Sequence, residues 1–353
     1  MRAQIAFLRT VALVSLAFLF TQVAMNQAAA GDSELLFKGR NLSEQEVERL
    51  EAKITNDEDN YESRVKLLGY HLGKRHRSPK SAIAHQEMVL WIIENHPTSE
   101  ALGDGAAIID HHDHKGAYEK AKTLWLKNVE THFENPQVFG SAAAFFKYSD
   151  RSKTEKYLQK AQNLDPKNYK WSIELAFFYR NEMLRLKGEQ RKETAVKALA
   201  EFEKSYTLQP VGQQWYLLDK LARSAFEAGQ YEKAEKFATQ LLAAAKNNDG
   251  DWNTGNAIHH GNLVLGRIAI KENELEAARN HLIESAKIPG SPQLNSFGPN
   301  MTLAQELLER GEKGAVLKYF DLCGNFWSND KLKTWKQQVT DGEMPDFGAN
   351  LNY

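Results

Sequence analysis

Residues 217–242, LLDKLARSAFEAGQYEKAEKFATQLL, decide how the rest of the chain is read. Leu217, Leu218, Leu221, Ala222, Ala225 and Phe226 recur at three- and four-residue spacing, which lays one apolar stripe along one face of a helix. Ala228-Gly229-Gln230 interrupts the stripe as a turn. Tyr231, Ala234, Phe237, Ala238 and Leu241 then start a second stripe of the same period, so the segment reads as two helices joined by a tight turn. The same periodicity fills the chain beyond Gly31, in runs of about 12 to 16 residues separated by short breakers, and no long alternating β pattern interrupts it.

This unit resembles the tetratricopeptide repeat (TPR) motif. Ala222 and Ala234 match the family's small residues where its two helices cross, Gly229 its turn glycine and Tyr231 its turn aromatic. A larger side chain at the crossing would push the two backbones apart. Weaker copies surround it. Tyr118-Glu119-Lys120-Ala121 follows a turn at 114–116, and 154–168 ends in a segment similar to the motif's close, Leu164-Asp165-Pro166. Ala198 through Phe202 runs to Gln209-Pro210, Leu265-Gly266 pairs with Leu275 through Ala278, and Leu68-Gly69 pairs with Ala82. The equivalent second-helix positions 82, 121, 154, 198, 234 and 278 are spaced by 39, 33, 44, 36 and 44 residues, so most intervals carry insertions beyond the family's length of about 34. Two insertions are visible, at 187–192 and 247–255.

The resemblance implies an all-α fold, a right-handed TPR-like superhelical solenoid of antiparallel helix pairs with a C-terminal helical cap. We expect an N-terminal linker and leading helix over 31–60, about six repeats over 61–290, and a cap over 291–353 with an extended tail from 344. In the leading helix Ser43 and Glu46 form a capping box. The C-terminal part is similar to the ends of other TPR-containing bacterial proteins, a resemblance that brings no activity with it.

The first thirty residues have a different character. Arg2 and Arg9 precede an uncharged apolar run, and Ala28-Ala29-Ala30 precedes the return of charge at Asp32. That is the layout of a secretory signal peptide with cleavage near Ala30–Gly31. The alternative is an uncleaved membrane anchor, but Thr21, Gln22, Asn26 and Gln27 interrupt the roughly 20 apolar residues a spanning helix needs. The expected location is therefore periplasmic or extracellular, with a membrane partner only if the segment is retained. Export in this style, with a TPR-like body, is the exported bacterial type.

Composition excludes more than it identifies. The 353 residues carry a net charge of -1, and loss of Arg2 and Arg9 takes it to -3, so neither a basic excess for nucleic acid nor an acidic block is present. The single cysteine, Cys323, rules out an intramolecular disulfide and sits among apolar residues, as a small buried hydrophobe would. Nucleophile elbow, zincin, phosphate-loop and dinucleotide motifs are all missing, and no cofactor is implied.

The reading is a non-catalytic scaffold that binds a protein or peptide, and three features supply candidate sites. In the TPR family the first helix of each repeat lines the concave face. That rule places Phe146, Phe177, Arg180, Asn181, Arg223, Phe226, Arg267 and Lys271 in a peptide-binding groove with a cationic character, suited to acidic groups. Trp252, in the polar insertion, is a candidate loop contact, whereas Trp91, Trp125, Trp171 and Trp215 fall within helix patterns as packing residues. Asp110, Asp113 and His114 satisfy the helical spacing for metal ligands and are weak candidates for a metal-dependent enzyme or metal carrier. A membrane-tethered assembly factor is the remaining alternative.

Overall fold

The computed structural model describes residues 31–352 except 104 and 113. The expected signal segment lies outside the described residues, as does Asp113. All regular structure among the described residues is helical, and none of these helices is long and apolar enough to cross a membrane. The chain divides into two compact units, Met1–Pro166 and Lys167–Tyr353.

In the first unit, residues 31–40 form α1, followed by α2 (Glu44–Asn56), α3 (Tyr61–Lys74) and α4 (Pro79–Asn95). Ser43 caps α2 with the reciprocal Ser43–Glu46 box the sequence predicts. α1 crosses α3 with the two backbones almost touching. A Cβ on Gly69 would lie 2.2 Å from the Leu36 carbonyl oxygen, and one on Gly39 would lie 2.1 Å from that of Lys66. The buried carboxylate of Asp32 accepts from the Tyr61 hydroxyl at 2.6 Å, from Ser99 Oγ at 2.9 Å and from the Ala101 amide at 3.2 Å. α5 (Lys115–Thr131), α6 (Pro136–Phe146) and α7 (Arg151–Leu164) complete the unit. The helix expected before α5 does not form: two 3-10 turns, Glu100–Gly103 and Gly105–Ala107, take its place.

The second unit holds the regular pairs. α8 (Tyr169–Met183) packs on α9 (Gly188–Leu208). After the short α10 (Val211–Gln214), α11 (Leu218–Glu227) packs on α12 (Tyr231–Asn247), and α13 (Thr254–Lys271) on α14 (Leu275–Ala286). The turn of the deciding segment is a left-handed stop: Gly229 has φ +74°, and the Gln230 amide reaches back to the Ala225 carbonyl at 2.9 Å. Asn273 repeats it between α13 and α14 with φ 62° and a Glu274-to-Ala269 bond of 2.8 Å. Ala222 and Ala234 are fully buried, and so are Ala121, Ala198 and Ala278, while Thr154 is 2% exposed. Ala82 is only half-buried, so the first copy is out of register.

The last sixty residues form α15 (Pro292–Phe297), α16 (Thr302–Leu308), α17 (Lys313–Cys323) and α18 (Asp330–Asp341). They share one core with α13 and α14, built on Leu263, Leu282, Leu303, Phe320, Trp327 and Trp335. Each such side chain contributes about 1.5–3 kcal/mol over leaving it exposed. Cys323 is wholly buried there, and burial pushes its thiol well above the ordinary range. The tail is not simply extended. Phe347 inserts into that core, Gly348–Leu351 makes a 3-10 turn, and Asn350 donates to the carbonyls of Phe297 at 3.1 Å and Pro299 at 3.0 Å.

Candidate functional site

Arg180, Arg223 and Arg267 occupy corresponding places on the first helices α8, α11 and α13, separated by 43 and 44 residues. The structure brings all three to one pocket of about 230 Å³. Arg191 and Lys220 add two more cations, and Met183, Leu263 and Val264 supply apolar wall. Asn300, Thr302, Leu351 and Asn352 also line it, held by contacts of the C-terminal tail. Met301 donates its amide to the Asn350 carbonyl at 2.8 Å, and Thr302 Oγ1 donates to the Leu351 carbonyl at 3.3 Å. His259 ties this wall to the helices. Its Nδ1 donates to the Ser285 carbonyl at 2.9 Å and its Nε2 accepts from the Asn300 amide at 3.0 Å. Burial pulls its pKa down to about 4, so the ring is neutral at pH 7.

Some of the charge is internally compensated. Glu227 accepts from Arg191 Nε at 2.7 Å and from Arg267 at 3.2 Å, and Arg267 Nε donates to Glu306 at 2.9 Å. Burial alone would raise the pKa of Glu227, but Arg267 and Arg191 outweigh it and leave it below the usual carboxylate value. Lys220 Nζ lies 2.8 Å from Asp219 Oδ1, close enough to neutralise it without the alignment of a hydrogen bond. Arg180 and Arg223 make neither an ion pair nor a hydrogen bond among the described residues. Burial and, after it, the neighbouring Arg180 lower the pKa of Arg223 to about 10 against the pull of Asp219. Arg180 is likewise lowered by burial. Two guanidiniums therefore face a shared space, each partly stripped of water, with Asp219 near enough to pull on both but no anion bonded to either. Neutral His260 lines the same pocket, its pKa held down by burial and then by Arg223.

The other groove candidates do not join the pocket. Phe146 is 1% exposed and packs edge-on to Phe145 at 4.9 Å and against Tyr157 at 5.9 Å, so it is core, not groove surface. Phe226 is also buried: the Arg267 guanidinium covers its ring at 4.1 Å, which removes it from contact with a ligand. Phe177 is half-buried edge-on to Phe202 at 5.4 Å, and Asn181 and Lys271 are exposed outside the pocket. Arg223 itself is partly buried and not fully solvent-facing. Trp252 is 52% exposed and stacks on Tyr216 at 5.7 Å with an interplanar angle of 9°.

Asp110 and His114 lie in the loop before α5, not on a helix, so helical spacing does not govern them. The Asp110 carboxylate accepts from the His112 amide at 2.7 Å, and His114 is the N-cap residue of α5 without a side-chain bond. Among the described residues no three His, Cys, Asp or Glu side chains are placed to share a metal ion.

Sequence reasoning missed Arg191, Lys220, Glu227 and His260, and the whole wall from 300–302 and 351–352. Arg191 sits at the end of a visible insertion, which was the available signal. Asn350 and Leu351 gave none, because their roles depend on contacts about fifty residues away.

No protein-family model matches this chain, and no curated protein matches it. Among solved structures, the human IFIT1 dimer with PPP-AAAA is similar, at 18% sequence identity and a TM-score of 0.48, over 85% of this chain and 68% of that one. A likeness at that level has no weight for function.

Proposed function

We propose that this chain is a non-catalytic binding scaffold, exported to the bacterial envelope, that takes acidic groups of a polypeptide partner in the pocket between α8, α11 and α13. The observation that supports the binding reading is the uncompensated pair Arg180 and Arg223 facing one cavity. Arginine offers a planar fork of donors matched to carboxylates, and partly buried arginines are frequent binding hot spots. Export rests on the pattern of residues 1–30 alone.

The test is calorimetry on a partner captured from envelope extract and purified, comparing Arg223→Glu with Lys236→Glu. Lys236 is exposed on α12 and serves as the control. Arg223→Glu is expected to cost about 2 kcal/mol or more of binding, while Lys236→Glu leaves it unchanged. Equal binding by both variants sinks the reading. So does a captured partner that proves to be nucleic acid.

A further inference from the structure

We propose that the insertion between α12 and α13 carries a separate contact site: Trp252, stacked on Tyr216 and flanked by Asp249 and Asp251, receives an arginine side chain of a polypeptide partner. The site is independent of the arginine pocket, and either can fail without the other.

Trp252 does not sit on a loose loop. Gly250 makes a left-handed turn with φ +86°, the Asp251 amide donates to the Asn248 carbonyl at 3.0 Å, and Thr254 Oγ1 donates to the same carbonyl at 2.6 Å. One oxygen of the Asp251 carboxylate accepts from the Asn253 amide at 2.8 Å, and the other accepts from the Tyr216 hydroxyl at 2.9 Å. That second bond raises the pKa of Tyr216, so the hydroxyl stays the donor. Tyr216 belongs to the 3-10 turn Trp215–Leu217 that leads into α11, so the loop is pinned to the start of that helix. Trp252 is thereby set with one face on Tyr216, at 5.7 Å and 9°, and still 52% exposed. A ring already fixed in place loses little conformational freedom when a partner touches it.

The chemistry around the ring selects a cation. An aromatic face is the negative side of the ring quadrupole and attracts guanidinium and ammonium groups. The insertion 247–255 adds two carboxylates and no basic residue. Asp249 is exposed, and its side chain makes no hydrogen bond or ion pair among the described residues. Asp251 spends one lone pair on each oxygen and keeps others for a further donor. Two carboxylates beside an open indole repel phosphate, which disfavours a nucleic-acid strand despite the stacking surface. The molecule shows elsewhere the contact that is missing here. Arg64 covers the Trp91 ring at 4.1 Å, and Arg267 covers that of Phe226 at 4.1 Å, whereas no cation among the described residues covers Trp252 or Tyr216. Arginine fits both parts of the site: its flat guanidinium lies on the indole while its forked N–H groups reach a carboxylate at the edge.

The experiment is an NMR titration of the full nitrogen-labelled chain, read at the assigned indole N–H of Trp252 among the seven tryptophans. The probe is acetyl-Gly-Arg-Gly amide. Its comparisons are the citrulline peptide, which keeps the shape without the charge, N-acetylglucosamine, and sodium chloride at equal ionic strength. The arginine peptide is expected to shift Trp252 saturably and leave Trp91, Trp125 and Trp171 unmoved. The citrulline peptide should bind about threefold more weakly or worse, the scale of an exposed cation–π and ion contact. Asp249→Asn and Asp251→Asn keep the side-chain shape and remove the charge, so each should weaken the arginine peptide about twofold or more. Trp252→Leu, shown folded by its thermal melt and followed at the Asn253 amide, should abolish the binding. If that variant fails to fold, the two Asp→Asn variants decide. Citrulline bound as well as arginine, or full binding by both Asp→Asn variants, overturns the proposal. N-acetylglucosamine bound more tightly than the arginine peptide overturns it in favour of a glycan platform, and no saturable shift by any probe overturns it outright.

Discussion

Each unit buries a charge, and the two are treated in opposite ways. In the first unit Asp32 is 5% exposed and accepts three hydrogen bonds, from Tyr61, Ser99 and Ala101. Burial and the bond to that carboxylate push the Tyr61 hydroxyl well above its usual range, so it stays a donor. In the second unit Arg223 lies beside Arg180 with no anion in reach of a bond. The first arrangement holds α1 to the 3-10 turn at Glu100–Gly103 and is complete as it stands. The second has no counter-group bonded to it, and on our proposal a partner supplies one. Buried charge by itself thus separates nothing; whether the chain supplies its own counter-group marks structure from site.

The largest expected effect tests what the two units share. Gly69→Val in the first unit and Gly255→Val in the second each drive a Cβ into a backbone carbonyl, at 2.2 Å from Leu36 and 2.0 Å from Gly290. Backbone cannot step aside as a side-chain tip can, so each should cost about 3 kcal/mol or more. Denaturant titration measures the loss, and hydrogen exchange should localise it to the helices of the mutated unit. A loss under about 1 kcal/mol at either site would mean the crossing there is loose.

The next effect is also common to both units. His85 in the first bonds the Ala106 carbonyl at 2.6 Å, His259 in the second bonds Ser285, and burial pulls each pKa down to about 4. A folded-state pKa below the unfolded value of about 6.5 means the unfolded chain binds a proton first as pH falls. Stability is therefore full above pH 6.5, declines between about 6.5 and 4, and levels below. Each histidine contributes up to about 3 kcal/mol to that decline. His259→Gln should flatten the curve, and an unchanged slope would show that the ring is protonated without cost.

The smallest effect breaks the symmetry. Arg223→Gln removes a poorly solvated charge that has no partner and relieves its repulsion with Arg180. It should raise the unfolding free energy by on the order of 1 kcal/mol even as it weakens binding, the trade expected of a site residue. A structural arginine would show a loss instead, which would bring Arg223 into line with Asp32.

The sequence made most of the second unit legible because its repeats are local. Gly229, Ala222 and Ala234 act within one helix pair, and the first-helix rule led from α11 to Arg180 and Arg267. The same rule failed at Phe146 and Phe226, because periodicity identifies a helix face to within about one residue and an aromatic beside the groove turns inward to bury its ring. It failed differently around Asp110, where a helix was expected and 3-10 turns stand. The export signal and the placement in the envelope remain readings of residues 1–30. The wall of the pocket was out of reach of pattern reasoning, since Asn350 and Asn300 acquire their roles only through partners distant in the chain.

That wall also sets an expectation for the order of assembly. The helix pairs close over short turns, but the bond from Asn350 to Phe297 spans 53 residues. Closing a loop of that length costs about 3.5 kcal/mol of chain entropy, set against a handful of bonds and the insertion of Phe347. Contacts that close long loops are the slower ones to gain, because the chain entropy is lost before the contact rewards it. The arginines can thus be in place on their helices while the cavity around them is still unmade. The tail acts as a latch: undone, it leaves a cationic surface without a pocket, and fastened, it gives the molecule something to be selective with.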